Sequence, residues 1–257
     1  MTKSTFEHLL VGHDGDVVVV KMARAKAKNA LNQGMLKELR ALLAKVSADP
    51  QARALLLTGE GDVFCAGADL KERRENPGQD AKFRAPLLAF WDEVAAFSKP
   101  FIVAVNGHAA GGGFELTLLA DAVIASQDAQ FWLPEVQWGG IPGGWGTQML
   151  TRLVGPLRAR WIILNGHRLS APQMLEMGLV THVTPQDHVL DTARAIAKEL
   201  ATRPPTAVAM AKEAIRQAMN LPLSQGVIKE EALLQISVAS PERQAMLDRF
   251  AEGHRPK

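Results

Sequence analysis

Two glutamates set beside glycine-rich turns are the residues in this sequence best suited to chemistry. In Asn106-Gly107-His108-Ala109-Ala110-Gly111-Gly112-Gly113-Phe114-Glu115-Leu116 a glycine run follows an apolar strand pattern and opens the apolar stretch of Leu116, Leu118 and Leu119. Glycines there cost backbone entropy. A turn without side chains at a helix start lets N–H groups point outward, where the helix dipole also favours negative charge. Such a turn can hold a developing oxyanion, and Glu115 sits one helical turn away. Taken alone, Glu115 reads as a carboxylate favoured by that dipole. It has company in Pro134-Glu135-Val136-Gln137-Trp138-Gly139-Gly140-Ile141-Pro142-Gly143-Gly144, where a second carboxylate adjoins a glycine-rich turn. A third segment, Phe64-Cys65-Ala66-Gly67-Ala68-Asp69-Leu70-Lys71, also follows a strand pattern and supplies another glycine-bearing loop. Two carboxylates with glycine-built donors suit proton transfer at the carbon beside a thioester carbonyl, the donors holding the enolate oxygen and the carboxylates moving protons. Trp132, Leu133 and Trp138 would raise the proton affinity of Glu135 if they bury it.

The elements that must position these groups are legible as patterns. Val17 to Met22, Ala54 to Thr58 and Phe101 to Val105 are short runs rich in Val, Ile and Leu, which predict buried strands. Met35, Leu36, Leu39, Leu42, Leu43 and Val46 share one helical stripe that Asp49-Pro50 ends, and a second helix is expected around Leu87 to Phe97. This alternation predicts an α/β fold with parallel sheet, so the loops after the strands emerge at one end, where ligands of such folds bind. After Pro156 the pattern turns helical, punctuated by Pro172, Pro185, Pro204, Pro205, Pro222 and Pro241. We place a boundary near residue 185, with a core over 1–185 and a helical region over 186–257 that either extends the core or forms an oligomer interface.

Bulk properties narrow the function class. The 257 residues are 47% hydrophobic and 22% charged, as in an ordinary globular chain. One cysteine, Cys65, excludes an internal disulfide and reads as a small packing residue. No leader or membrane-length apolar span is present, so a soluble, cytoplasmic protein is expected. A net charge of +2 gives no field for nucleic acid or membrane. Nucleophile-elbow serine, phosphate-loop lysine, paired zinc histidines and dinucleotide fingerprint are all missing, so no metal and no permanently bound cofactor are expected. The seven histidines are scattered, and His108 reads as structural or pocket-lining.

Taken in order, Arg24 with Asn29-Ala30-Leu31-Asn32, the Phe64 to Lys71 segment, Asn106-Gly107 through Glu115, Pro134-Glu135 and Ile141-Pro142-Gly143 resemble the crotonase superfamily of enoyl-CoA hydratases and isomerases along nearly the whole chain. The resemblance implies a crotonase-like spiral of ββα units with a helical C-terminal region, assembled as a homotrimer or a dimer of trimers. It implies that the N–H groups of Ala68 and Gly112 form an oxyanion hole for an acyl-CoA thioester. Glu115 and Glu135 match the two acid/base glutamates of the hydratase branch, Gly143 a glycine closing the site, and Ala66, Asp69, Leu70 and Lys71 the substrate-binding loop. Coenzyme A enters as part of the substrate, and its phosphates give Arg24, Lys26, Lys28 and Lys71 partners, the alternative being a solvated basic loop. The tail Phe250 to Lys257, with Arg255 and Lys257, resembles one that reaches a neighbouring subunit's coenzyme. The sequence departs from the family at Ala25, where a proline is usual, and at Trp145, where a small residue is usual. Trp132, Trp138 and Trp145 around Glu135 either wall an acyl pocket or pack elsewhere. Both glutamates favour reversible syn hydration of a 2-enoyl-CoA. Double-bond isomerisation, a hydratase-lyase or dehydratase step, and a silent acyl-CoA-binding homologue are the alternatives.

Overall fold

The computed structural model of the protein describes residues 6–76 and 80–252. Its strands are β1 (Leu9–Asp14), β2 (Val17–Met22), β3 (Ala54–Gly59), β4 (Val63–Cys65), β5 (Phe101–Val105), β6 (His108–Ala110), β7 (Ala122–Ser126), β8 (Gln130–Trp132), β9 (Leu169–Ser170) and β10 (His182–Thr184). The α-helices are α1 (Gln33–Ala48), α2 (Leu70–Glu75), α3 (Asp80–Ala95), α4 (Gly112–Thr117), α5 (Gly146–Asn165), α6 (Ala171–Glu176), α7 (Val189–Ala201), α8 (Pro205–Ala218), α9 (Leu223–Val238) and α10 (Pro241–Ala251).

Six strands form one sheet in the order β1-β2-β3-β5-β7-β10, and four form another in the order β4-β6-β8-β9. The β3–β4, β5–β6 and β7–β8 pairs each give one strand to each sheet, so the chain spirals by repeated ββα-like turns. In the large sheet only β1 runs antiparallel, to β2; the other neighbours are parallel. Both faces of its central strands are covered, which is why β2, β3 and β5 read as unbroken apolar runs. Val18, Val20, Leu55, Leu57, Val103 and Val123 join the core on the α1 and α3 side. The alternate residues Val17, Val19, Leu56, Ile102 and Ile124 join Val189, Ala193 and Ala197 of α7 on the other.

Helix α1 starts where the Asn32 side chain accepts the Met35 N–H at 2.8 Å, and it ends at Asp49 before Pro50. The expected boundary near residue 185 falls before α7, which is packed on the sheet; the helices beyond it begin at Pro205. Helix α8 is tied back by Lys212, which pairs with Asp121 and donates to the Lys99 carbonyl at 2.9 Å. The helical patterns expected after Pro156 are interrupted by β9 and β10, which are too short to leave a periodic signal. Residues Arg255 and Lys257, expected to reach a neighbour's coenzyme, lie outside the described residues. No helix among the described residues is long and apolar enough to cross a membrane.

Candidate active site

Three loops leaving the ends of β4, β6 and β8 meet because hydrogen bonds and glycine contacts lock them together. Asn106, after β5, accepts the Gly59 N–H at 3.0 Å and donates to the Gly61 carbonyl at 2.7 Å, coupling the β3–β4 turn to the β5–β6 turn. Asn29, held at φ 54°, donates to the Glu60 and Val63 carbonyls at 2.9 and 2.7 Å. Cys65 is fully buried and its thiol, pushed up to about 12 by burial, donates to the Asn29 carbonyl at 3.3 Å. The cysteine is therefore a neutral structural donor at this junction.

Gly67 stands at φ +83°, and a Cβ there would lie 2.8 Å from the Ala110 carbonyl oxygen and 3.1 Å from the Gly112 nitrogen. Only glycine permits that backbone angle and that approach. The contact brings the loop bearing Ala68 against the start of α4. Leu31 makes a single parallel bridge to Ala68 in which its N–H donates to the Gly67 carbonyl at 2.7 Å and its carbonyl accepts the Asp69 N–H at 3.2 Å. In such a bridge the N–H of Ala68 itself points away from Leu31. Gly112 is the first residue of α4, so its N–H has no partner within the helix. Ala68 and Gly112 both line the cleft into which the two glutamates face.

Glu115 is 3% exposed, and its Oε1 accepts the N–H groups of Gly144 and Gly146 at 2.8 and 2.9 Å. Burial and the nearby Glu135 raise its proton affinity, the two N–H groups oppose them, and the carboxyl comes to titrate at about 7. Glu135 opens the short 3-10 turn after β8. Burial raises its pKa as well, opposed by its own backbone N–H and by Arg73. Its Oε2 is buried with no hydrogen-bond partner among the described residues. A Cβ on Gly111, at φ +49°, would lie 2.7 Å from Glu135 Oε1, so that glycine makes room for the second carboxylate. The cleft thus holds two carboxyl groups whose proton affinities are both raised, together with the backbone of Ala68 and Gly112.

Of the residues singled out from sequence, Ala68, Asp69, Gly112, Glu115, Glu135 and Gly143 line one cleft. Ala66, Leu70 and Lys71 lie along the adjoining loop, and the Ala66 N–H donates to the Lys28 carbonyl at 3.0 Å. Lys26, Lys28 and Lys71 are exposed. Arg24 is turned inward, donating to the Ala30 carbonyl at 2.5 Å and pairing with Asp69 at 3.0 Å. Burial works against the Asp69 carboxylate, but the Glu72 N–H and Arg24 outweigh it and hold the group below its usual range. Arg24 thereby ties the 24–31 loop to the start of α2, and its guanidinium is drawn into that tie.

The tryptophans that cluster around Glu135 in sequence do not wall this cleft. Trp132 packs edge-on against His108 at 6.0 Å beneath the Arg168 guanidinium at 4.4 Å, Trp138 is 73% exposed, and Trp145 packs against the core. The tryptophan that does line it is Trp91 on α3, joined by Leu87 and Arg84 one and two turns earlier and by Arg73 of α2. None of these is marked by a motif, because each reads as ordinary helix. The N–H groups of Gly144 and Gly146 lie in or beside a glycine run noted from sequence, but their aim at Glu115 depends on where α5 begins.

The model of the family described as enoyl-CoA hydratase/isomerase matches residues 12–257. The chain belongs to this family. It is 36% identical over 253 residues to a protein of Mycobacterium bovis named Probable enoyl-CoA hydratase, covering 98% of each chain. It is also 36% identical over 252 residues to the mitochondrial enoyl-CoA hydratase of Pongo abelii, covering 97% of this chain and 87% of that one. Among solved structures, enoyl-CoA hydratase subunit I of Geobacillus kaustophilus superposes with a TM-score of 0.93 at 34% identity, covering 99% of this chain and 98% of the other. The spiral of ββα units is therefore the crotonase fold of this family, and the large sheet, cleft and helical end belong to it.

Proposed function

We propose that the protein is a cytoplasmic enoyl-CoA hydratase that reversibly adds water with syn geometry across the C2=C3 bond of a 2-enoyl-CoA. The observation that carries this reading is Glu115 and Glu135 in one cleft with Ala68 and Gly112, both carboxyls raised above the ordinary range. A pair that repels itself holds one proton over a range near neutral pH, so it contains a base and an acid together. In the reacting form the pair's one proton sits on Glu135, and the ionised Glu115 takes a proton from water as the water oxygen bonds to C3. The C2=C3 electron pair moves toward the thioester carbonyl, whose oxygen becomes an enolate oxygen held by the Ala68 and Gly112 N–H groups. Glu135 delivers its proton to C2, and the enolate collapses to the 3-hydroxyacyl thioester. Proton exchange between the two neighbouring carboxyls then restores the starting state.

In the same reading the coenzyme lies along Ala66, Asp69 and Leu70, with its phosphates met by the exposed Lys26, Lys28 and Lys71, and Gly143 closes the opposite wall. Arg24 serves by positioning Asp69 rather than by meeting phosphate. The protein assembles as a homotrimer or a dimer of trimers. Support comes from Leu157, Trp161 and Leu164 of α5, spaced to one helix face and 77, 65 and 64% exposed, a face that water leaves costly. The unpaired Cys65 suits a reducing compartment.

The test is a panel of 2-enoyl-CoA thioesters, following loss of the conjugated chromophore with the product identified by mass spectrometry. Formation of 3-hydroxyacyl-CoA is expected. Reaction of 3-enoyl thioesters alone, with no hydroxyacyl product, would replace hydration by double-bond isomerisation.

A further inference from the structure

The cleft is lined by four carboxyl groups, Asp69, Glu72, Glu115 and Glu135, and by two guanidiniums, Arg73 and Arg84. Asp69 is paired with Arg24 at 3.0 Å, and Glu72 accepts the Gln33 N–H at 3.1 Å, where the start of α1 favours a carboxylate. Glu115 and Glu135 are the reacting pair. Against them stand Arg73 and Arg84, neither within 4.0 Å of a carboxylate among the described residues. Arg73 acts on Glu135 through its field. Arg84 is exposed to water and makes no ion pair among the described residues.

Its placement is specific. Arg84, Leu87 and Trp91 recur at three- and four-residue spacing on α3, which puts them on one face, and all line the cleft. The guanidinium crosses to the opposite wall, where a Cβ on Gly143 would lie 3.3 Å from Arg84 Nη1. Leu36, Leu87, Trp91 and Ile141 give the same cleft its apolar lining, beside the polar Gln33 and Glu72. A plain hydrocarbon chain seated there would strip water from the guanidinium and return nothing. A chain ending in a carboxylate would return a forked, charge-assisted pair.

We propose that the acyl group this site prefers ends in a carboxylate, so that the substrate is a 2-enoyl-CoA with an anionic far end held by Arg84 and favoured by the field of Arg73. This rests on the hydratase reading and adds the class of acyl group to it.

Three trans-2-enoyl-CoA thioesters of equal chain length test it: one ending in a carboxylate, one in the methyl ester of that carboxylate, and one in a methyl group. The parent enzyme is expected to show kcat/KM about tenfold or more higher for the carboxylate than for the methyl-ended thioester. In Arg84→Gln that ratio falls to about one, through KM more than kcat, and Arg84→Lys keeps part of it, since one charged hydrogen bond is worth about a factor of ten or more. The ester behaves like the methyl-ended compound if charge is what is read. Because each ratio is taken within one preparation, partial misfolding of a variant does not move it. Equal turnover of all three thioesters by the parent overturns the inference and leaves hydration standing. So does an Arg84→Gln variant whose ratio matches the parent's, which would assign the arginine to the coenzyme or the fold. A parent that hydrates none of the three overturns the hydratase reading itself.

Discussion

Replacing Glu115 by Gln is expected to destroy activity and at the same time to flatten the dependence of stability on pH. Glu115 titrates at about 7 in the fold, against an ordinary value of 4.5. Between those values the folded chain binds a proton that the unfolded chain has released, so stability falls as pH rises. The favourable contribution is complete below pH 4.5 and lost as pH passes 7, which amounts to about 3 kcal/mol for a shift of this size. Between pH 5 and pH 8 the loss is about 2 to 3 kcal/mol. A glutamine at this position still offers an oxygen to the Gly144 and Gly146 N–H groups but carries no charge to bury. Urea denaturation of parent and Glu115→Gln at pH 5 and pH 8 measures the difference directly, since all other titrating groups are common to both. Over that interval the parent should lose about 2 to 3 kcal/mol more than the variant, while the variant's kcat for hydration falls about 100-fold or more. Parallel loss of stability in the two proteins would refute the claim that a buried, proton-sharing carboxyl sits at this position. Full activity in the variant would refute its role.

Other expectations follow from the same geometry. Glu135→Gln should lower kcat by about 100-fold or more with a smaller effect on KM, and should lower the pKa of Glu115 by removing a neighbouring charge, a change readable by carboxyl infrared titration. The parent's kcat/KM should be bell-shaped in pH: its basic limb lies near 7, where the pair loses its last proton, and its acid limb lies above the ordinary carboxyl range. Gly67→Ala forces a Cβ to within 2.8 Å of the Ala110 oxygen at φ +83° and should cut kcat by about 100-fold or more by parting the two N–H donors, with circular dichroism showing the fold retained. A double-mutant cycle on Arg24→Met and Asp69→Asn should give a coupling of about 1 to 2 kcal/mol in urea unfolding at neutral pH that fades as pH drops and Asp69 is protonated.

The residue patterns carried β2, β3 and β5, whose runs of Val, Ile and Leu are buried on both faces, but not β7, equally buried yet built of Ala, Val, Ile, Ala and Ser. Strands β2 and β5 lie where their runs of Val, Ile and Leu placed them, and α1 spans the stripe from Met35 to Val46. The short strands β4, β6, β8, β9 and β10 were not legible, because two or three residues are too few for alternation to show, and their pairing comes from neighbours far along the chain. Glu115 and Glu135 stood out because each adjoins a turn whose glycines local structure alone does not explain. What they face is another matter.

The chain by itself determined which residues are the candidates for chemistry: two carboxyls, glycine turns able to expose N–H groups, and an alternation of strand and helix that presents such turns at one end of a sheet. Only the tertiary structure decided that the Gly144 and Gly146 N–H groups aim at Glu115, that Trp91 rather than Trp132, Trp138 or Trp145 walls the cleft, and that Arg84 faces Gly143 across it. The physical reason is range. Backbone preferences and apolar periodicity act over a few residues, whereas the pKa of a buried carboxyl and the partner of a guanidinium depend on groups within a few ångströms in space that are distant in sequence, and those distances exist only once α3, α4 and α5 have packed.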